Sequence, residues 1–510
     1  MSIYKIGSAN IICSDYPDPD IIRVDDAYYM VSTTMYFFPG CVILRSYNLL
    51  DWEFCSYVFD QLEDTPGQKL EDNRGVYGRG MWAACLRHHN NKFYVSFVAN
   101  DTQKTYLYTA DSITGPWTKS NIQGFYHDMS ILFDDDGRVF VTHGNMNIHL
   151  IELKEDLSGP KENGIDKIII QDIPEKVCLG YEGSHFYKIN NKYYIFLIHF
   201  PNGKYRTQAC FVSDKIEGPY IGQDVLCADY KNWNSGIAQG GIVQTPDHKW
   251  YGILFQDHGA LGRMPVLVPV VFDENNFPVF GETTASPEEV TVLDNRPDYK
   301  YAPLYSNDFL NPAWQWNHYP NKKLVSVSSE KLCITTNKLV KNITQCANTY
   351  TQRVFTEHCE GSVFLNASNM KNGDFAGLCA LESEYAFIGL TKENDQFYLV
   401  KATHTSKHSP WTMNVYDDEE PGIVEKRQVS SSSINLKIAF NLEKDVQQAT
   451  LFYANDNSPF NQLGTPVPLR FTLDHFTGVR FGLFYYSTKE SGGQIEFSVF
   501  KITICRASAL

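Results

Sequence analysis

The stretch Lys192-Tyr-Tyr-Ile-Phe-Leu197 follows the turn-forming pair Asn190-Asn191 and has the aromatic and β-branched content of a β-strand. Four similar stretches occur in the first half of the chain, most of them after a polar or glycine-containing turn. They are Ala27–Ser32, Lys92–Phe97, Arg138–His143 and Lys249–Leu254. The starts of the five stretches lie 65, 46, 54 and 57 residues apart, which indicates a repeated structural unit.

Units of roughly 45 to 60 residues with about four strands each are typical of β-propeller blades. Two units also end alike, in Asp111-Ser-Ile-Thr-Gly-Pro-Trp117 and Asp214-Lys-Ile-Glu-Gly-Pro-Tyr220, and Asp51-Trp-Glu-Phe54 is a weaker form of this ending. Long helical periodicity is absent. We therefore expect an all-β protein with a five-bladed β-propeller; a β-sandwich with long loops is the alternative.

The repeat stops near residue 298, after which Asn295–Pro303 has the composition of a linker. The remaining chain contains alternating, strand-like segments such as Gln396–Val400 and Ala449–Tyr453. A two-sheet β-sandwich of about 200 residues fits this pattern. The predicted domains are a catalytic propeller over residues 1–297 and an accessory sandwich over residues 298–510.

The composition of the chain narrows its possible partners. The formal net charge of -15 argues against binding of nucleic acid or of an anionic membrane and is compatible with a neutral substrate such as a sugar. No apolar run is long enough to span a membrane. No secretion signal opens the chain, so we expect a cytoplasmic protein with 12 reduced cysteines, although a secreted protein without its leader would look the same. The oligomeric state stays open.

One residue stands at an equivalent place nine or ten residues before each repeated stretch. These residues are Asp18, Ala83 (with Trp82 before it), Asp128, Glu182 and Gln239. In a propeller the first strand of each blade lines the central axis, so the five residues are expected to form a ring at one end of the channel. The ring would bring together three carboxylates from three different blades.

Three facing carboxylates indicate glycosidic bond cleavage, which needs a general acid and a second carboxylate that activates water or attacks directly. Repulsion between close carboxylates raises the pKa of one of them, and this keeps a general acid protonated near neutral pH. Acidic residues are rare at inward-facing strand positions, which favours a functional role. A Ca²⁺ site built from carboxylates is the main alternative.

The motifs around these residues resemble those of glycoside hydrolase family 43. The similar segments are Asp15-Tyr-Pro-Asp-Pro-Asp20, Val31–Gly40, His127–Gly137, Tyr181-Glu-Gly-Ser-His185 and Gly262-Arg263, together with Trp314–His318 at the start of the second domain. The resemblance implies that Asp18 is the general base, Asp128 the residue that modulates the pKa of the acid, and Glu182 the general acid. It also implies an inverting mechanism and a concanavalin-like (lectin-like) sandwich.

The resemblance further implies a set of substrate-binding residues. They are Trp82, Ala83, His127, Gln239, Arg263, Phe37 and Phe38, with Phe476 reaching the pocket from a sandwich loop. Arg263 would donate two hydrogen bonds to sugar hydroxyls. No cofactor is expected to be required, but His258 is a candidate for holding a structural Ca²⁺ near the propeller axis. His127, Gln239 and the segment Met81–Ala84 depart from the family pattern, which leaves the sugar preference open.

The predicted function is release of terminal xylose or arabinose from xylan- or arabinoxylan-derived oligosaccharides by a β-xylosidase or α-L-arabinofuranosidase. A carbohydrate-binding propeller without catalysis and an endo-acting arabinanase are the alternatives. A retaining enzyme acting on fructosides would need its two carboxylates about 5–5.5 Å apart, closer than the roughly 6.5–9.5 Å of an inverting pair.

Overall fold

The computed structural model of the protein describes residues 3–281, 289–406, 417–455 and 458–504. Within these ranges the regular structure consists of β-strands and short 3₁₀ helices, and no helix is long and apolar enough to cross a membrane. The 3₁₀ helices are Gly67–Lys69, Pro174–Lys176, Tyr230–Asn232, Gly259–Leu261, Lys322–Leu324 and Ile343–Gln345.

Five antiparallel four-stranded sheets form the first domain and confirm the predicted propeller. We number them blades I to V in chain order. From the axis outward, the strands of blade I are Asp20–Val24, Ala27–Ser32, Gly40–Ser46 and Glu53–Phe59, and those of blade II are Cys85–His89, Lys92–Ala99, Lys104–Ala110 and Thr118–Ile122. Those of blade III are Ser130–Phe133, Val139–His143, Asn147–Leu153 and Asp166–Gln171. Blade IV has Val177–Ile189, Lys192–Pro201, Thr207–Ser213 and Ile221–Leu226, and blade V has Gly240–Gln244, Trp250–Asp257, Arg263–Phe272 and Pro278–Phe280.

The innermost strands of the five blades contact one another in cyclic order around the axis. The repeated aromatic stretches form the second strand of each blade, where both faces are covered by neighbouring blades and apolar residues are favoured. A separate two-stranded sheet pairs Tyr4–Ser8 with Glu289–Leu293 and so joins the two ends of the propeller sequence.

The second domain is a sandwich of two antiparallel sheets, as predicted. One sheet runs in the order Gly422–Val429, Gln396–Thr403, Ala386–Glu393, Asp374–Leu381, Arg480–Ser487, Tyr350–Arg353, Trp314–Asn317 and Phe37–Phe38. The other runs in the order Val325–Val327, Lys331–Thr335, Gln494–Ile504, His358–Asn369, Ser433–Asn441, Gln448–Ala454 and Asn461–Gln462, and Val467–Pro468 also pairs with Gln448–Ala454. The inner faces of the two sheets form one apolar core.

The two domains are joined by more than the linker. The short strand Phe37–Phe38 leaves blade I and pairs with Trp316 and Asn317 at the edge of a sandwich sheet. Ala260 and Leu261 of blade V are buried in the sandwich core. Because backbone pairing and apolar packing both cross the boundary, the sandwich is held in a defined position beside the propeller axis.

Candidate active site

A cavity of about 840 Å³ opens at the end of the propeller where the five predicted ring positions meet. The predicted residues in its wall are Asp18, Trp82, Ala83, His127, Asp128, Glu182, Gln239, Arg263 and Phe476. Asp18, Ala83 and Asp128 lie two residues before the innermost strand of their blade, and Gln239 lies one residue before it. Glu182 lies inside its strand, at an irregularity in the pairing.

Asp18 and Asp128 share an unusual backbone conformation. Their φ angles are 52° and 50°, in the left-handed region that residues other than glycine seldom adopt. Such strain is retained where the surrounding structure fixes it, and it is concentrated at functional sites. In blade IV the positive φ angle occurs one residue later, at Gly183, which directly follows Glu182.

Asp18 is held by two side chains from different parts of the propeller. The Thr33 hydroxyl donates to Oδ2 of Asp18 at 2.8 Å, and Nη1 of Arg263 lies 3.0 Å from Oδ1 and 3.3 Å from Oδ2. These contacts fix the orientation of the Asp18 carboxyl group and place a guanidinium beside it. Asp18 is therefore suited to accept a proton from water.

Glu182 lies in a cluster with Asp128 and His127. One side-chain nitrogen or carboxylate oxygen from each of the three residues lies within 4.8 Å of the corresponding atoms of the other two. Nε2 of His127 is 3.3 Å from Oε2 of Glu182 and 3.7 Å from Oδ2 of Asp128. The Asn145 amide also donates to Oε2 of Glu182. The cluster fixes the orientation of the Glu182 carboxyl group, as a general acid requires.

The pKa values in this cluster are displaced from their ordinary range. Burial, reinforced by the nearby Glu182 and Asp18, raises the pKa of Asp128 to about 7, and the His127 charge opposes this shift. The charge of Asp128 and the hydrogen bond to Glu182 raise the pKa of His127 to about 9. The two shifts are linked, because His127 is stabilised as a cation to the full extent only when Asp128 is ionised.

Arg263 contacts the protein more extensively than the sequence predicted. Besides Asp18, its Nη2 donates to the carbonyl oxygen of Phe476 at 3.2 Å, and its guanidinium lies 4.3 Å from the centre of the Phe476 ring. Within the described ranges, its Nε finds no hydrogen-bond partner. Gly262, just before it, has a φ of 97°, and a Cβ there would lie 2.5 Å from Oδ1 of Asp15, so this position needs glycine.

The sandwich supplies one wall of the pocket through residues 470–476. The Phe476 ring lies 5.9 Å from the Trp82 ring in an edge-on arrangement. The Gly478 amide donates to Oδ2 of Asp15 at 2.9 Å, and the Ser383 hydroxyl donates to Oδ2 of Asp474 at 2.6 Å. This loop is thus anchored to both domains, and it closes one side of the cavity.

Phe37 and Phe38 lie away from the cavity wall, and this corrects their expected role. Both are almost fully buried, since their strand pairs with Trp316 and Asn317 in the sandwich. The Arg480 guanidinium lies 3.9 Å from the centre of the Phe37 ring, and Phe38 packs against Phe59 and Tyr319. The same segment does reach the pocket, but through Met35. The pairing with the sandwich turns the two phenylalanines outward.

His258 does not fit the expected calcium site. Its ring is fully buried against Trp233, with the ring centres 4.5 Å apart, and its Nε2 lies 3.1 Å from Oε1 of Gln256. Burial lowers the pKa of His258 to about 3, so the ring is neutral. Ca²⁺ needs six to eight oxygen ligands. Among the described residues, one group of three His, Cys, Asp or Glu side chains is close enough to hold an ion. It consists of His127, Asp128 and Glu182 and does not include His258.

The centre of the propeller contains a buried ion pair instead. Asp20 lies 2.7 Å from Nη1 of Arg87 and 3.0 Å from Nδ1 of His185, and Nη2 of Arg87 bonds the Ser130 hydroxyl at 2.6 Å. These residues come from the innermost strands of blades I to IV. Arg87 thus supplies a positive charge beside the buried Asp20 carboxylate.

The pocket contains further residues that sequence reasoning did not identify. They are Met35, Asn145, Cys178, Leu179, Ile198, Phe200, Arg206, Phe255, Asp257 and residues 470–473. Asn145 carried a weak signal, because Gly144-Asn145 directly follows the repeated stretch of blade III. The others lie on strands and loops whose approach to the axis depends on blade twist and domain packing.

Comparisons with known proteins identify the family of each domain. The model of "Glycosyl hydrolases family 43" matches residues 9–278, and that of the "Beta xylosidase C-terminal Concanavalin A-like domain" matches residues 304–503. A "Beta-xylosidase" of Formosa agariphila is 25% identical, over 96% of this chain and 89% of that protein. A "Non-reducing end alpha-L-arabinofuranosidase" of Bacteroides ovatus is 27% identical, over 57% of this chain and 56% of that protein.

A solved structure of a bifunctional GH43-CE protein of Bacteroides eggerthii superimposes with a TM-score of 0.89 at 36% sequence identity. The match covers 99% of this chain but 64% of that one, so the chain spans slightly less than two thirds of its length. The family model covers more than half of the chain, over a range that includes Asp18, Asp128 and Glu182. The chain belongs to glycosyl hydrolases family 43 and is a glycoside hydrolase.

Proposed function

We propose that the protein is an exo-acting, inverting glycosidase that releases terminal β-D-xylosyl or α-L-arabinofuranosyl units from short xylan-derived oligosaccharides. The observation that carries this proposal is the closed pocket, in which Asp18 and Glu182 converge and the sandwich loop with Phe476 blocks one side. A pocket closed on one side accepts the end of a chain more readily than its middle. The choice of pentose is supported by the names of the relatives, a β-xylosidase and an α-L-arabinofuranosidase, and by the name of the family model that matches the second domain.

In this mechanism Asp18, paired with Arg263, removes a proton from a water molecule as that water attacks the anomeric carbon. Glu182 donates its proton to the departing glycosidic oxygen. Asp128, whose pKa is raised by burial, and His127 set the charge around Glu182. One bond to water forms as the glycosidic bond breaks, so the configuration at the anomeric carbon is inverted.

Both pentose substrates fit this mechanism, because a β-xylopyranoside and an α-L-arabinofuranoside can present their anomeric carbon and hydroxyls similarly. The decisive test is hydrolysis of 4-nitrophenyl β-D-xylopyranoside and 4-nitrophenyl α-L-arabinofuranoside by the parent and by Glu182→Ala. We expect turnover by the parent and a loss of about 10²–10⁴-fold in the variant on an oligosaccharide, whose leaving sugar needs a general acid. The loss on the 4-nitrophenyl glycosides should be smaller, because 4-nitrophenolate leaves without a proton. The ratio of the parent rates identifies the preferred sugar.

The exposed Glu175→Ala, on the segment that leads into the same strand, is the matched control and should behave like the parent. Proton NMR of the first product formed would detect inversion. A folded parent that hydrolyses neither glycoside would contradict the exo-pentosidase and favour a binding propeller or an endo-acting enzyme. A product that keeps the substrate configuration would contradict the assigned roles of the two carboxylates.

A further inference from the structure

Next to the catalytic pocket lies a second cavity of about 430 Å³. The walls of both cavities include Phe200, Arg206 and Asp257. Nη1 of Arg206 lies 2.7 Å from Oδ2 of Asp257, and this ion pair stands between the two spaces. The second cavity therefore adjoins the catalytic pocket and shares a wall with it.

The strand register shows in which direction the second cavity extends. Glu182 pairs with Ile198, and Leu179 pairs with Phe200, on the neighbouring strand of blade IV. Ile198 and Phe200 are two residues apart, so both side chains lie on one face, and both line the catalytic pocket. Because Glu182 is the proposed proton donor to the leaving oxygen, the leaving sugar lies on this side and is directed toward Phe200.

The opposite side of the catalytic pocket is separated from the second cavity by Phe255. The Arg263 guanidinium lies 5.5 Å from the centre of the Phe255 ring, and the Arg206 guanidinium lies 5.2 Å from it. Arg263 pairs with Asp18, whereas Arg206 pairs with Asp257 in the shared wall. The second cavity thus lies beyond Phe255 from the proposed base.

The lining of the second cavity has the chemistry of a sugar-binding site. Trp233 is partly exposed, with its ring supported by buried His258 at 4.5 Å between centres, and Phe200 is 39% exposed. Aromatic faces contact the C–H faces of sugar rings, and nearby charged groups bond the hydroxyls. Arg206 and Asp257 supply such groups from the propeller, and Lys444 supplies one from the sandwich.

Contacts between the domains keep this cavity in shape. The Lys444 ammonium group donates to the carbonyl oxygen of Asn232, next to Trp233. The Gln447 side chain accepts a hydrogen bond from the Ala260 amide at 2.6 Å. Since residues of both domains line the cavity and are bonded across it, Trp233 is presented on a preformed surface, which lowers the entropy cost of binding.

We propose that this second cavity binds the sugar units that follow the first leaving-group residue, so that the enzyme prefers neutral oligosaccharides of three or more units over disaccharides. The inference rests on the proposed exo-pentosidase function and adds chain-length selection by Phe200, Trp233 and the Arg206–Asp257 pair. The bond cleaved and the single sugar released stay the same.

The test measures kcat/KM for linear β-1,4-linked xylobiose, xylotriose and xylotetraose. The reference substrate is 4-nitrophenyl β-D-xylopyranoside. In the parent we expect kcat/KM to rise about three- to tenfold from the disaccharide to the longer chains, the effect of one good aromatic contact. Trp233→Ala should remove this rise and leave the 4-nitrophenyl glycoside rate unchanged. Trp233→Phe, which retains an aromatic face, should keep most of it.

The matched control is Trp250→Ala, a partly buried tryptophan in blade V. It lies at the far end of the strand that finishes at Asp257, roughly 23 Å from the cavity at 3.3 Å per residue, and it should preserve the dependence on chain length. Equal kcat/KM values for all chain lengths in the parent would overturn the inference and leave the proposed function standing. A rise that survives in folded Trp233→Ala would also overturn it. Failure to cleave these oligosaccharides and both 4-nitrophenyl glycosides would overturn the proposed function itself.

Discussion

The imidazole of His127 lies 3.3 Å from the carboxylate of Glu182, measured from Nε2 to Oε2. His127 directly precedes Asp128, so one segment of blade III places a basic and an acidic group against the residue proposed to protonate the leaving oxygen. The charge of His127 lowers the pKa of Asp128, against the rise that burial causes.

We expect His127→Ala to move the alkaline limb of the kcat/KM profile upward, by about 1 pH unit or more. The nearby cation lowers the pKa of Asp128, so its removal makes the carboxyl pair hold its proton to higher pH. The limb reports the coupled pair and not one residue. The measurement is kcat/KM against pH on an aryl glycoside, with exposed His88→Ala as the control. A limb that moves downward would contradict this arrangement.

Arg263→Ala should lower kcat/KM by about tenfold to a hundredfold, which is the range expected for the loss of a hydrogen bond to a charged group. The guanidinium contacts both Asp18 oxygens and the Phe476 carbonyl at once. A lysine offers a point charge without the planar fork, so Arg263→Lys should recover little of the activity. Full activity of Arg263→Lys would show that charge alone is needed.

Phe476→Ala should raise KM by about three- to tenfold with a smaller change in kcat, because the ring forms a wall of the pocket and takes no part in proton transfer. The ring packs on Trp82 and against the Arg263 guanidinium, so its loss opens the closed side. Steady-state kinetics on the preferred aryl glycoside measures both constants. Exposed Phe460→Ala in the sandwich is the control. An unchanged KM would exclude the loop from substrate binding.

Asp20→Asn should lower the free energy of unfolding of the propeller by about 3–5 kcal/mol, because it leaves Arg87 buried without its partner. Asp26 pairs with Arg296 at 2.7 Å near the surface, so Asp26→Asn should lower the free energy of unfolding by at most about 1 kcal/mol. Denaturant unfolding followed by tryptophan fluorescence compares the two. Equal effects would mean that the central ion pair contributes no more than a surface pair.

The same residue predicts a dependence of stability on pH. Arg87 and His185 hold the pKa of Asp20 well below its usual range despite burial. The stability that this lowered pKa supplies is present above the unfolded pKa of about 3.9 and is lost as the pH falls below it. We therefore expect the free energy of unfolding to fall more in the parent than in Asp20→Asn as the pH is lowered from about 5 to about 3. Parallel acid dependence in the two proteins would contradict this.

Much of the fold could be predicted from local patterns. The five aromatic stretches and their spacing indicated the propeller, because each second strand needs apolar residues on both faces. The ring of Asp18, Ala83, Asp128, Glu182 and Gln239 followed from their similar offset, nine or ten residues, to those strands, and the structure places all five at one cavity. The sequence alone thus determined the family, the architecture and the three carboxylates, since these depend on repeats and on the composition of single strands.

Only the tertiary structure decided which side chains complete the pocket. Phe37 and Phe38 were expected in its wall, but pairing with Trp316 and Asn317 in the second domain takes them away. Arg206 reaches the pocket from a place that no local motif distinguishes, and Asn145 had only the weak signal of its position after a repeated stretch. The left-handed backbone of Asp18 and the closure of the pocket by Phe476 also depend on contacts between residues far apart in the chain. Such contacts are set by the packing of whole blades and sheets, which a pattern of neighbouring residues does not contain.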